Sequence, residues 1–267
     1  MILILYNIRM YAVAREFDFT SIDAIFCDVD GTMVPHGEQL PPSDLISAIG
    51  RVASKAHFIP VTGRSLQDGA DFLNALPVDI AIAAGGAIEL RRFPDYDDGL
   101  ISAKVTPTLM RGNMLRFLLE EDGELDSHIA IEEVSERLRH GECESLFIRS
   151  VDQEEAQRLA AQINTRLGDR LYAAPVVSQN GLSYDVHINR DQASKVYAME
   201  HVIIDDKRLV DLDRSIMIAD GPNDLPAMQA VGYSVAMGNA HEDLKAAADE
   251  VIGAQEEDGL LDFLARI

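Results

Sequence analysis

From Ile22 onward, short apolar runs alternate with amphipathic stretches, and several of those runs end in polar loops that carry glycine. An apolar run flanked by helical patterns fits a strand covered on both faces, which is the condition of a parallel sheet. Residues 22–27 form such a run and break off at Asp28-Val29-Asp30-Gly31-Thr32. Residues 41–53 then space Leu45, Ile46, Ile49 and Val52 as a helix would, with Ser43 as the expected cap. Residues 58–61 are strand-like and lead into Thr62-Gly63-Arg64, after which Ser65 can cap a helix through Leu76. Residues 80–84 give a third strand, closed by Gly85-Gly86. Strand, loop, helix and strand in this order connect right-handedly, and ligands bind beyond the carboxyl ends of such strands. Both polar motifs fall at that edge.

The middle of the chain reads differently. Residues 110–121 and 154–167 are helical in pattern, and residues 128–132, 145–149, 171–177 and 182–188 are strand-like. Helix, two strands, helix and two strands predict a small α+β layer, one sheet covered by two helices. The parallel style returns with a helix through Val202, a buried strand at 215–219, the loop Asp220-Gly221-Pro222-Asn223-Asp224, and a strand at 233–237. The expected organisation is a Rossmann-like α/β core built from residues 1–90 and 190–267, with an α+β cap inserted at 91–189. Asp95-Tyr96-Asp97-Asp98-Gly99 is the expected outgoing linker, and residues 189–192 are the return.

Charge limits the partners. The chain has 23 Lys and Arg against 45 Asp and Glu, a formal charge of −22. Such a surface repels polyanions, so nucleic acid is excluded as a ligand. A phosphate ligand would demand a site that offsets its own negative charge, most simply with a cation. Cys27 and Cys143 make no disulfide framework and no zinc pair. No apolar run approaches the ~20 residues of a membrane span. Residues 1–5 are apolar, but Asn7 and Arg9 interrupt them, and no basic region precedes them. They are read as an extra edge strand, or as an early start with Met10 as the true beginning, in a cytoplasmic protein.

Asp28 and Asp30 stand two residues apart at a strand end, where unscreened repulsion would be severe. A hard divalent cation with oxygen ligands resolves it, which favours Mg2+. One carboxylate can then attack phosphorus while the other handles protons. Thr62 and Gly63 offer a hydroxyl and an amide at a strand-to-helix junction suited to anions. Taken alone, that pair is a common turn, Arg64 is plain surface charge, and Lys195 is a solvated lysine. Asp220 can complete a cation's shell, while Asn223 and Asp224 can orient water, Lys195 or the metal, or cap the next helix. The histidines lack ligand spacing, with His36 and His187 alone expected near the crevice, and Cys27 reads as packing.

In this order the four segments resemble the motifs of the haloacid dehalogenase superfamily of phosphatases. Asp28 through Thr32 is similar to the first, Thr62 to the second, Lys195 to the third and Asp220 through Asp224 to the fourth. The resemblance implies Asp28 as nucleophile, Asp30 as general acid/base, and Thr62, Gly63, Lys195 and Asn223 around phosphate. It implies magnesium on Asp28, on Asp30 through its carbonyl and on Asp220, and Asp224 is expected among the metal residues as well. Thr62 lies 34 residues after Asp28, about one βαβ unit. Lys195 follows 133 residues later, which leaves room for the cap. That spacing, with Ala236-Met237-Gly238-Asn239-Ala240, is similar to the Cof-type (IIB) branch. Three positions depart from it: Ala219 and Val196 stand where glycine is usual, and Gly85-Gly86 where Asn-Gly is common.

The expected activity is therefore magnesium-dependent hydrolysis of a small phosphomonoester, a phosphorylated metabolite such as a sugar phosphate, through an aspartyl-phosphate. A phosphomutase would need cap cations for a second phosphate, from among Lys104, Arg111, Arg116 and Arg149. A non-catalytic binding domain is the third reading, and the intact Asp28 and Asp30 speak against it. A homodimer remains open on the sequence.

Overall fold

The computed structural model describes residues 17–35, 37–64, 66–86, 88–92, 101–105, 146–149, 152–167, 171–177, 184–190, 195–204 and 208–267. The predicted helix at 110–121, the strand at 128–132, the linker at 95–99 and His36 lie outside them, as do Ser65, Arg111, Arg116 and the first 16 residues.

The larger sheet is built on β1 (Ala24–Asp28), every residue of which is buried. Around it stand β2 (His57–Val61), β3 (Ile80–Ala83), β4 (Ile88–Arg92) and β5 (Ile101–Val105) on one side. On the other stand β11 (Ile216–Ala219), β12 (Tyr233–Ala236) and β13 (Glu250–Val251), giving the order β13-β12-β11-β1-β2-β3-β4-β5. The pairs from β13 to β3 are parallel, and β4 and β5 are added antiparallel. Burial on both faces explains why these strands read as unbroken apolar runs rather than as alternation.

Helices cover the sheet with apolar stripes. In α1 (Ser43–Ala53), Leu45, Ala48, Ile49 and Val52 are buried at helical spacing. Ser43 was the expected cap, but Pro42 holds that position and no side chain caps the helix. The Pro42 carbonyl accepts from the Ile46 amide at 3.0 Å, so the proline's fixed φ starts the helix instead. The second helix, α2 (Leu66–Ala75), follows β2.

The smaller sheet has the order β6-β8-β7, from β6 (Leu146–Arg149), β7 (Leu171–Val177) and β8 (Tyr184–Arg190), all antiparallel. Helix α3 (Gln153–Leu167) packs on β7 and β8, burying Ala156, Leu159 and Ala160. These three strands and this helix are the described part of the expected α+β layer. The boundary drawn at residue 90 moves, because the core sheet continues through β5 to Val105.

The chain re-enters the core with α4 (Lys195–His201) and the small hairpin β9 (Ile203–Ile204) and β10 (Arg208–Leu209). Short helices α5 (Leu225–Ala230), α6 (Glu242–Ala247) and α7 (Gly259–Leu264) complete the layers. Strand β7 of the smaller sheet lies against the turn Pro222–Asp224 of the core. Among the described residues, no helix is long and apolar enough to cross a membrane.

Candidate active site

Asp28 is the last residue of β1, at the middle of the sheet's carboxyl edge, and its flanking strands β2 and β11 end at Val61 and Ala219. The three loops that follow these strands therefore open at one place. The first is a tight turn in which the amides of Thr32, Met33 and Val34 all bond the Val29 carbonyl. It closes with the Gly31 amide on the Val34 carbonyl at 2.7 Å, and needs φ of 89° at Gly31, a value that favours glycine. Asn239 pins this turn from outside: its Nδ2 donates to the Gly31 carbonyl at 2.9 Å, and its Oδ1 accepts from the Gln255 amide at 2.8 Å.

Lys195, the first residue of α4, is buried and carries the centre of the site. Its Nζ donates to Asp28 Oδ1 at 2.5 Å and to Asp224 Oδ1 at 2.6 Å. The solvated-lysine reading is thereby corrected: both of its partners are inside the crevice. Asp224 is fully buried, and it does not cap α5, because its side chain makes no bond to that helix. Its Oδ2 has no hydrogen-bond partner. Asp220 follows β11 and accepts from Thr32 Oγ1 at 2.8 Å, which ties the loop after β11 to the loop after β1. Asn223 lies in the same turn, with its Oδ1 so near Gly221 that a Cβ there would meet it at 2.5 Å.

Thr62 follows β2, is buried, and accepts from the Arg64 amide through its Oγ1 at 3.1 Å. Its backbone is held on both sides, by the Ile82 carbonyl at 2.8 Å and the Gly85 amide at 2.9 Å. Asp30 was expected to meet the cation through its carbonyl alone, and its side chain is engaged elsewhere. Its carboxylate is turned to the Arg64 guanidinium, with Nη2 to Oδ1 at 2.8 Å, so only its backbone carbonyl is left to face a cation. Arg64 is correspondingly not surface charge. It is 7% exposed. His187 stands on β8 of the smaller sheet.

Electrostatics give the site its demand for a cation. Burial pushes the Asp28 carboxyl up, against the opposing pull of Lys195. Burial also pushes Asp220 well up, reinforced by the charge of Asp28. Asp224 is raised to about 7, chiefly by burial. Burial alone would lower Lys195, but Asp224 and Asp28 outweigh it and hold the ammonium above its ordinary range. Three desolvated carboxylates thus share one ammonium, and the orphaned Asp224 Oδ2 marks the shortfall. Among the described residues, no three His, Cys, Asp or Glu side chains converge on one point as they stand. A set made of two carboxylates, Asp28 and Asp220, and the Asp30 carbonyl does not need a third side chain. These all-oxygen donors fit magnesium, whose remaining positions are commonly taken by water and substrate.

The sign of the pH dependence follows. A carboxyl whose folded pKa lies above its unfolded value opposes folding while it is ionised, and the opposition fades as pH falls. Without divalent cation, the protein is expected to gain stability from this cluster as pH drops from about 7 toward 4, the window set by Asp224. Urea unfolding in chelator at several pH values checks it. Saturating magnesium should flatten the slope, and a metal-free slope of the opposite sign would contradict the reading of these three groups.

Comparison with known proteins decides the family. The haloacid dehalogenase-like hydrolase model matches residues 25–111 and 118–264. The chain belongs to this family. A phosphoglycolate phosphatase of Nitrosopumilus maritimus is 25% identical over 90% of this chain and 94% of its own length. One from Methanopyrus kandleri is 32% identical over 34% of this chain and 38% of its own. Among solved structures, a haloacid dehalogenase-like hydrolase from B. subtilis superposes with a TM-score of 0.65 at 18% identity, over 92% of this chain and 100% of its own. A subclass IIB sugar phosphatase gives 0.59 at 19%, over 91% and 98%. At those identities the structural likeness establishes the fold of this hydrolase, a Rossmann-like core with a cap, as the sequence pattern predicts.

Sequence reasoning missed Arg64 and left Thr32 and Asn239 without roles. Thr32 belongs to the Asp28–Thr32 motif, and Arg64 follows Thr62-Gly63 directly, so each was adjacent to a recognised residue. Nothing in the sequence says where either side chain points.

Proposed function

We propose that this haloacid dehalogenase-family phosphatase hydrolyses a small phosphomonoester by way of an aspartyl-phosphate on Asp28, with magnesium held by Asp28, Asp220 and the Asp30 carbonyl. The observation that carries the proposal is the buried Lys195 ammonium bridging Asp28 and Asp224 within 2.6 Å, beside a third carboxylate at the same sheet edge. An ionised Asp28 oxygen attacks phosphorus, and the ester oxygen leaves as the new P–O bond forms. Asp30 gives that oxygen its proton. A water then attacks the aspartyl-phosphate, its proton passing to Asp30, and Asp28 and inorganic phosphate are restored. Lys195, Thr62, the Gly63 amide and Asn223 surround the phosphoryl oxygens. When bound, the cation offsets the charge that develops on the transferring group.

The substrate class proposed is a small anionic metabolite ester such as phosphoglycolate or a sugar phosphate. The activities printed for the relatives support it. So does the placement of β7 against Pro222–Asp224, which brings the smaller sheet beside the crevice. Phosphate release from 2-phosphoglycolate, glycerol phosphate and hexose 6-phosphates is the test. Turnover on at least one ester is expected, lost in chelator and restored by magnesium. Turnover that survives chelation would remove the cation from the proposal.

A further inference from the structure

Arg64 does more than neutralise a neighbour. Its Nε donates to both oxygens of Asp30, at 3.3 Å to Oδ1 and 3.1 Å to Oδ2, and its Nη2 donates to Oδ1 at 2.8 Å. The same guanidinium is fixed from three other directions. Nη1 donates to the Gln39 carbonyl at 2.8 Å, Nη2 also reaches the Glu38 carbonyl at 3.3 Å, and the plane lies 4.9 Å from the Phe72 ring of α2. Its backbone is equally committed, with the amide on Thr62 Oγ1 and the carbonyl on the Ala84 amide. The Arg64 side chain is 5% exposed and that of Asp30 is 32% exposed. The arginine is therefore the fixed member of the pair, and the carboxylate is the member that faces open space.

We infer that Arg64 is a positioning residue for leaving-group protonation: its fork fixes the Asp30 carboxyl off the cation and holds Oδ2 toward the departing ester oxygen. The inference rests on the role given to Asp30 above. Its physical basis is directional. Oδ1 takes two of the three bonds and Oδ2 only one, so Oδ2 keeps the freer lone pair. A planar fork locks the rotation of a carboxylate in a way that a single ammonium cannot. Left without it, a carboxylate two residues from Asp28 would be free to turn toward the cation and be lost to proton transfer. The Asp30 proton goes to the ester oxygen and returns from water, and Arg64 itself exchanges none.

The test compares two leaving groups. An alkoxide needs a proton as it leaves, whereas p-nitrophenolate leaves without one. With the whole chain and magnesium, R64Q is expected to slow phosphoryl transfer onto the protein, read by acid quench of a single turnover, about 100-fold for an alkyl phosphate and less than about fivefold for p-nitrophenyl phosphate. R64K, which keeps the charge but not the fork, is expected to show the same selectivity, and it carries the test if R64Q does not fold. D30N should show the selectivity too, and R64Q added to D30N should cost less than about a further threefold, because the two act as one unit. Equal losses on both esters in R64Q and R64K, or losses that multiply in the D30N background, overturn the inference while leaving Asp30 its role. A D30N protein whose transfer rate falls equally on both esters overturns the role of Asp30 as the acid itself.

Discussion

Asp28→Asn is expected to reduce phosphate release by on the order of 10⁴-fold or more, while the protein stays folded. The amide matches the carboxyl in shape but offers no ionised oxygen to form a bond to phosphorus, and it is a poor ligand for a hard cation. Its effect on stability should be small and, in chelator, favourable. Burial already pushes the Asp28 carboxyl up, so removing its charge relieves a desolvation cost, and Lys195 keeps Asp224 at 2.6 Å. Two measurements are needed together. Initial rates on the preferred ester should collapse, and the urea midpoint without metal should not fall. Rapid acid quench of the parent with a radiolabelled ester should trap label on the protein, and Asp28→Asn should trap none. A variant that keeps more than about a tenth of parental turnover would take the nucleophile away from this position.

Lys195→Met is expected to damage both chemistry and stability. Methionine fills a similar volume but leaves Asp28, Asp220 and Asp224 facing one another without an ammonium. Removing one partner of a buried ion pair commonly costs about 3–5 kcal/mol, because the remaining charge stays desolvated. Loss of one preorganised donor to the phosphoryl group costs about 10²–10³ in kcat. Magnesium should restore much of the stability, since it replaces the missing positive charge, and little of the turnover, since it cannot stand where Nζ stood. Melting curves with and without magnesium, set beside steady-state rates, separate the two effects. A Lys195→Met protein as stable in chelator as the parent would mean that the three carboxylates do not repel as their burial implies.

The fold was readable because a parallel sheet makes strands apolar on both faces. The runs before Asp28, Thr62 and Asp220 are wholly buried or nearly so, and each ends at a motif. The positions of Asp28, Asp220 and Asp224 at one edge follow from that pattern, because loops after adjacent strands must meet. Lys195 was different. By pattern alone it is a lysine near a helix start, and only the order of motifs singled it out. Whether its stem reaches the crevice depends on how α4 packs, which is a tertiary matter. Arg64 shows the same limit from the other side: a charged residue after a Thr-Gly turn reads as surface, until Asp30, two carbonyls and Phe72 are seen to enclose it. The domain boundary failed for a related reason, since β4 and β5 pair antiparallel and carry no sequence mark of which sheet they join.

The Lys195–Asp28 bond joins positions 167 apart along the chain, and the Thr32–Asp220 bond joins positions 188 apart. A ribosome releasing this polypeptide would therefore present Asp28 long before its counter-charge exists. Up to that moment the emerging first half keeps the Asp28 carboxylate hydrated and β1 unpaired on one side, because β11 begins only at Ile216. Contacts so remote form slowly. The centre can therefore be assembled only after positions as far apart as Asp28, Lys195 and Asp224 have all been made.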